Sequence, residues 1–254
     1  MITSLRNQKV AAAVRLHRKR GRSASGTTLL EGPNLLAEAV AARAPVRVVF
    51  GLTDDRTSRD AAAGIGAEWV PVTEEVLRKM ATTSEPQSPV AVVAIPDDPL
   101  PSSGHLLAAW GVRDPGNTGT LIRTAAAFGM SFAAGPDTAD LWSPKVLRSA
   151  AGGHWRTSLG VVADLEELKG ADRTLVATVV AHGEPPAVLR DLSCAALLIG
   201  DEAHGLPGEI SAAADLRITI TMAGGTESLN AAVAGAILAY ELSGDASGGP
   251  PAPD

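Results

Sequence analysis

Apolar positions along this chain alternate between a helical period and short β-type runs, the pattern of an α/β protein. Residues 5 to 20 set Val10, Ala13, Val14 and Leu16 among basic positions, which predicts a helix with a charged face. Leu29-Leu30-Glu31-Gly32-Pro33 then turns the chain into a second helix from Asn34 to Ala42, with Pro33 suited to its first turn. Val46 to Phe50, Glu68 to Val72 and Val90 to Ile95 read as strands, and residues 57–64 and 74–80 as helices. These elements predict a small α/β unit over residues 1–96. The proline-rich stretch 97–104 predicts a semi-rigid linker. Beyond it, strands are expected near 106–111, 131–134, 157–162, 174–179, 196–199 and 217–221, with helices between most of them. That order predicts a mainly parallel sheet in a second domain over 105–244. Residues 245–254 have nothing to bury and are expected to form a disordered tail.

Three segments of the second domain share one design. Asp114 to Gly129 reads DPGNTGTLIRTAAAFG, Leu197 to Pro207 reads LLIGDEAHGLP, and Ile218 to Glu241 reads ITITMAGGTESLNAAVAGAILAYE. Each joins an apolar run, a Gly-rich turn and a helix start, the geometry in which α/β proteins place ligand-contacting loops at the carboxyl ends of strands. Glycines in such loops let the backbone approach a ligand closely. Ser228 is the expected N-cap of the last helix, with Asn230 inside its first turn. Residue chemistry alone leaves plainer readings open. Arg123 fits a solvated helix arginine, Asn117 a turn or cap residue after Asp114-Pro115-Gly116, and Glu202 a first-turn acid favoured by the helix dipole.

Taken together and in this order, the three segments resemble the motifs of the SpoU (TrmH-like) branch of the SPOUT RNA methyltransferases, over roughly residues 105 to 244. Thr221 stands where that family usually has proline, and Ala231 where it usually has a β-branched residue. The resemblance implies a C-terminal SPOUT domain, the α/β knot with a deep trefoil, although an open topology is the default for an α/β chain. It implies S-adenosylmethionine as cofactor and methylation of a ribose 2′-oxygen. Arg123, Asn117, Glu202, Ser228 and Asn230 match the family's catalytic positions. Val179, Gly200, Gly205, Ile220, Met222, Leu229 and Ala232 match its cofactor-binding positions, although core packing explains each equally well. Lys145 and Arg148 match candidate RNA contacts, Arg148 in the partner subunit's site, although a surface-exposed helix explains them equally well. The L-x-E-G sequence at 29–32 and the basic first helix resemble the L30e-like RNA-binding domain of ribosomal RNA members. The resemblance thus favours 23S ribosomal RNA as substrate over transfer RNA, and a working enzyme over a non-catalytic RNA-binding or ribosome-assembly protein. It also implies a homodimer through the C-terminal domain, as does a C-terminal helix that is apolar on nearly every side.

Charge changes this picture only through its distribution. The net charge is −6, yet the first thirty residues hold Arg6, Lys9, Arg15, His17, Arg18, Lys19, Arg20 and Arg22 and no acid before Glu31. Such a block is an electrostatic footprint for phosphate, with Arg18, Lys19 and Arg20 its densest part. A solvated helix face would carry the same charges. The lone Cys194 excludes an internal disulfide and suits a reducing cytoplasm. No apolar run approaches the ~20 residues of a membrane span. Five scattered histidines without cysteine partners argue against a zinc site. Asp201-Glu202-Ala203-His204 spells a helicase signature, but the phosphate loop a helicase needs is missing.

Overall fold

A computed structural model describes residues 1–224 and 228–244. The expected tail over 245–254 and Gly225, Thr226 and Glu227 of the third motif lie outside the described residues. The chain forms two compact units that alternate along the sequence. The first comprises residues 1–98, 114–123 and 139–156, and the second residues 99–113, 124–138 and 157–254.

In the first unit, α1 (Gln8–Arg15) and α2 (Lys19–Ser25) lead into β1 (Thr27–Glu31). Then come α3 (Pro33–Ala41), β2 (Val46–Gly51), α4 (Arg56–Gly64), β3 (Glu68–Pro71), α5 (Glu74–Met80) and β4 (Val90–Ala94). The four strands form one sheet in the order β1-β4-β2-β3, parallel only between β2 and β3. The predicted first helix is two. Leu16 caps α1, and α2 crosses so closely that a Cβ on Gly21 would lie 2.0 Å from the Arg15 carbonyl oxygen. Residues 29–31, expected to open a turn at 29–33, instead end a strand, Thr27–Glu31, whose Thr27 to Leu30 are all buried. Burial on both faces removes the alternation that marks a half-exposed strand.

The second unit is built on six parallel strands in the order β10-β8-β9-β5-β6-β7. They are β5 (Leu106–Ala109), β6 (Ser131–Ala134), β7 (Leu159–Val161), β8 (Thr174–Thr178), β9 (Ala195–Ile199) and β10 (Leu216–Ile218). β9 is buried throughout and lies between β8 and β5. The helices of this half of the chain are α6 (Pro115–Ala127), α7 (Pro144–Ala150), α8 (Glu166–Lys169), α9 (Gly208–Ala212) and α10 (Ala231–Ser243). α6 begins in the first unit and ends in the second, and α7 belongs to the first.

Half of the expected linker is fixed to the second unit. The guanidinium of Arg173, only 5% exposed, donates to the carbonyls of Pro101 (2.6 Å), Ser103 (2.9 Å), Gly104 (2.8 Å) and Leu168 (3.3 Å). Charged-group hydrogen bonds of this kind offset the cost of burying the cation. Leu100 packs beneath the sheet against Gly160.

Candidate active site

The loops that follow β8, β9 and β10 meet the start of α10 around a cavity of about 350 Å³. Parallel strands deliver these loops to one edge, where backbone groups released from the sheet can serve a ligand. Val179, Ile199, Ile218, Ile220, Met222 and Leu229 supply its apolar wall, and Asp201, Glu202, His204 and Ser228 its polar one. Gly200 and Gly205 line it as well. A Cβ on Gly200 would lie 2.3 Å from the carbonyl carbon of Gly205, so only glycine lets the turn fold back on the strand end. Gly205 itself has φ +66° and closes the turn, donating its N–H to the Asp201 carbonyl at 2.8 Å. Ala232, expected at the cofactor, is buried in α10 and does not line the cavity.

Asp201 organises this turn, a role the sequence signalled only through its Asx-type position. Its Oδ1 accepts from Ala203 N (3.0 Å), His204 N (3.3 Å) and His204 Nδ1 (3.1 Å). The His204 side-chain bond, with the backbone bonds, holds the carboxyl below its ordinary range despite the opposing effect of burial. Asp201 and His204 of the helicase-like tetrapeptide are therefore a local loop anchor.

The N-cap of α10 is Asn230, not Ser228. Asn230 has extended backbone angles, and its Oδ1 accepts from Ala232 N (3.0 Å) and Val233 N (3.2 Å). Asparagine caps as well as serine, and Ser228 lies two residues outside the helix, exposed and lining the cavity. The amide Nδ2 of Asn230 approaches Glu202 Oε1 at 3.5 Å, which ties the second and third motifs together. A broader cleft of about 990 Å³ opens on the same turn, rimmed by Asp137, Asp164, Glu166 and Glu209. Arg113 and His204 line the same cleft, and Arg113 pairs with Asp137 at 3.5 Å.

The remaining predicted residues lie in the first unit. Asp114 caps the entry to α6: Oδ1 accepts from Asn117 N (2.9 Å), and the Asp114 carbonyl accepts from Thr118 N (3.0 Å). Asn117 is half-buried. Two turns on, Arg123 is exposed, and no hydrogen bond or ion pair engages its guanidinium among the described residues. Lys145 is exposed at 3.7 Å from Asp114. Arg148, expected as an RNA contact, is turned to the protein instead. Its Nη1 donates to Thr82 Oγ1 at 2.9 Å and pairs with Glu31 at 3.4 Å.

The basic N-terminal block divides. Arg18, Lys19 and Arg20 are exposed, as are Arg6 and Arg15. Lys9 pairs with Glu68, and His17 Nε2 bonds the Met80 carbonyl at 2.7 Å. Arg22 is 4% exposed and pairs with Asp140 at 2.5 Å while donating to the Leu16 carbonyl at 2.7 Å. Sequence proximity placed these residues with the surface block, but their partners lie far along the chain.

A parallel α/β sheet with a pocket built from loops at the carboxyl ends of its strands defines a ligand-binding α/β domain, a plan that many families share. The comparisons with known proteins decide among them. Residues 104–240 match the model of the SpoU rRNA methylase family, and residues 7–91 that of the MRM3-like substrate binding domain. The chain is 33% identical to the 23S rRNA (guanosine(2553)-2'-O)-methyltransferase RlmP of Bacillus subtilis, over 96% of its own length and 99% of the relative's. An AdoMet-bound rRNA methyltransferase from Sinorhizobium meliloti superposes with a TM-score of 0.83 at 26% identity, covering 95% and 96% of the two chains. The SpoU methyltransferase AviRb of Streptomyces viridochromogenes, in complex with AdoMet, gives 0.82 at 27% identity, covering 94% and 97%. This chain belongs to the SpoU rRNA methylase family.

Proposed function

We propose that this protein methylates a ribose 2′-oxygen of 23S ribosomal RNA with S-adenosylmethionine, in the cytoplasm. The observation that carries the proposal is the cavity over β8, β9 and β10, whose apolar wall, polar rim and glycine turn suit an adenosine. Its size falls in the range of small-molecule sites, about 300–1,000 Å³. Ile220, Met222 and Leu229 would hold the adenine faces, with backbone groups near Val179, Gly200 and Gly205 reading its edge. When bound, the cofactor supplies an electrophilic methyl group. Glu202, Ser228 and Asn230 order the loops around it. Arg123 would orient an RNA phosphate and stabilise the negative charge that develops on the ribose oxygen. A guanidinium stays charged and is a poor literal base, so its contribution is electrostatic.

The test is incubation with methyl-labelled S-adenosylmethionine and unmodified 23S or transfer RNA, followed by mass-spectrometric mapping. A single ribose methyl in 23S RNA is expected. Label in transfer RNA would replace the substrate assignment. Absence of cofactor binding at millimolar concentration would mean a non-catalytic RNA-binding protein.

RNA binding is assigned to the exposed Arg18, Lys19 and Arg20 on α2 and its entry, with Lys145. Replacing the three N-terminal residues with Ala is expected to weaken RNA binding and flatten its salt dependence by about 0.7–0.9 log units per lost phosphate contact. Cofactor affinity should hold. An unchanged slope would reduce the block to a solvated face.

A homodimer completes the proposal. Val233, Ile237 and Tyr240 are 47%, 38% and 57% exposed and fall on one stripe of α10, the spacing of a single helix face. Closed two-fold pairing is the commonest way to cover such a face. Light scattering of the full chain at micromolar concentration should give twice the chain mass, and Val233→Asp with Ile237→Asp should halve it. A monomeric wild type would defeat the pairing.

A further inference from the structure

The helix that carries Arg123 is gripped by a segment which is itself held by the N-terminal domain. α6 and α7 touch through backbone. A Cβ on Gly119 would lie 2.4 Å from Ser149 Cβ and 2.6 Å from the Val146 carbonyl oxygen. Ser149 Oγ also donates to the Gly116 carbonyl at 2.7 Å. One helical turn beyond Gly119, Gly153 sits on Arg123 itself: a Cβ there would lie 3.1 Å from Arg123 Cα and 3.3 Å from its N. Residues 119 and 123 share a helix face, so residues 146–153 support α6 at two successive turns.

The same segment is fastened at its other side. Leu147 is buried with Leu30, Leu36, Val49 and Val93 of the four-stranded sheet layer. Arg148 pairs with Glu31, whose side chain is 5% exposed. Glu31 also accepts from Thr82 N (2.9 Å), Thr82 Oγ1 (2.5 Å) and Thr83 Oγ1 (3.3 Å). Gly152, with φ +87°, packs against the Glu38 side chain, and Arg156 pairs with Glu38 at 2.5 Å.

We propose that Arg148 and Gly153 are positioning residues for Arg123, and that the Glu31–Arg148 pair lets the RNA-binding domain set the catalytic arginine in place. Arg148 thus serves the reaction through the fold and not as an RNA ligand. The proposal rests on the reading of Arg123 as catalytic.

Full-length Arg148→Ala, Arg148→Lys and Gly153→Ala proteins, with Arg123→Ala as control, are compared for three quantities. These are single-turnover rate at saturating RNA, RNA affinity with its salt slope, and cofactor affinity. Misplacing a catalytic group by about 1 Å can cost about 10²-fold in rate. Arg148→Ala should therefore lower the saturating rate by about 10- to 100-fold. Gly153→Ala, whose Cβ asks Arg123 to give by only a few tenths of an ångström, should lower it measurably but less. Both affinities and the salt slope should be unchanged. Arg148→Lys, which can still pair with Glu31, should recover most of the loss. A normal saturating rate in Arg148→Ala with weaker, less salt-dependent RNA binding would make Arg148 an RNA contact and overturn the inference, as would absence of rescue by lysine. Should Arg148→Ala fail to fold, Gly153→Ala decides, because it leaves the ion pair intact. Full activity in Arg123→Ala would instead remove the catalytic reading. An inactive Arg123→Ala beside fully active Gly153→Ala would overturn only the positioning.

Discussion

Arg123→Ala is expected to lower the single-turnover methylation rate by about 10²–10³-fold or more, with cofactor affinity unchanged. The size follows from what the side chain has to do. Its guanidinium is exposed and uncommitted among the described residues, so no folding contact is lost with it. A positioned cation facing a developing alkoxide acts where charge appears only in the transition state, and such contacts govern rate more than ground-state binding. Arg123→Lys should recover little, because a point charge lacks the planar fork that aligns a phosphate. Rapid-quench measurement at saturating RNA, alongside cofactor calorimetry, checks both halves. A variant near the wild-type rate would take Arg123 out of the reaction.

Gly200→Ala should cripple cofactor binding while leaving the sheet intact. The added methyl would meet backbone atoms of Gly205 and Leu206 at 2.3–2.4 Å, and no rotamer relieves a clash of Cβ with main chain. The turn would have to move away from the strand end and carry the cavity wall with it. Overpacking costs about 1–3 kcal/mol, which as a loss of affinity is roughly 5- to 150-fold. Calorimetry gives the affinity, and far-ultraviolet circular dichroism shows whether the fold is kept. Wild-type affinity in a folded variant would mean that the turn does not shape the cofactor site.

The second and third motif loops were legible in the sequence because each combines a strand end, a glycine and a helix start, whereas the first motif lines no part of the cavity and Val179 joins it from the loop after β8. Gly200, Gly205, Val179, Ile220, Met222 and Leu229 accordingly line one cavity. Ala231 and Ala234 line the cavity while Ala232 does not, because periodicity in an alanine-rich helix that is apolar all round does not say which face turns to the ligand. The cap moved from Ser228 to Asn230 for a related reason: both residues accept the same bonds, and two residues of offset lie within the precision of a helix boundary. What the sequence hid was pairing at a distance. Arg22 and Arg148 read as surface charges until Asp140 and Glu31 are brought to them. Leu147 gave no sign that its core is the N-terminal sheet.

That interleaving bears on how the chain is made. Asp140 lies 118 residues after Arg22, and at a synthesis rate of about 5–20 residues per second it follows by roughly 6–24 s. Until then the N-terminal sheet has emerged without Leu147 to complete its core, and Arg22 has the Leu16 carbonyl as acceptor but not its carboxylate partner, which makes its burial less favourable. As its first 98 residues leave the ribosome, the first unit therefore still lacks one ion-pair partner and one core residue. Residues 139–156, which complete that unit and support the helix carrying Arg123, are made only after the whole N-terminal sheet.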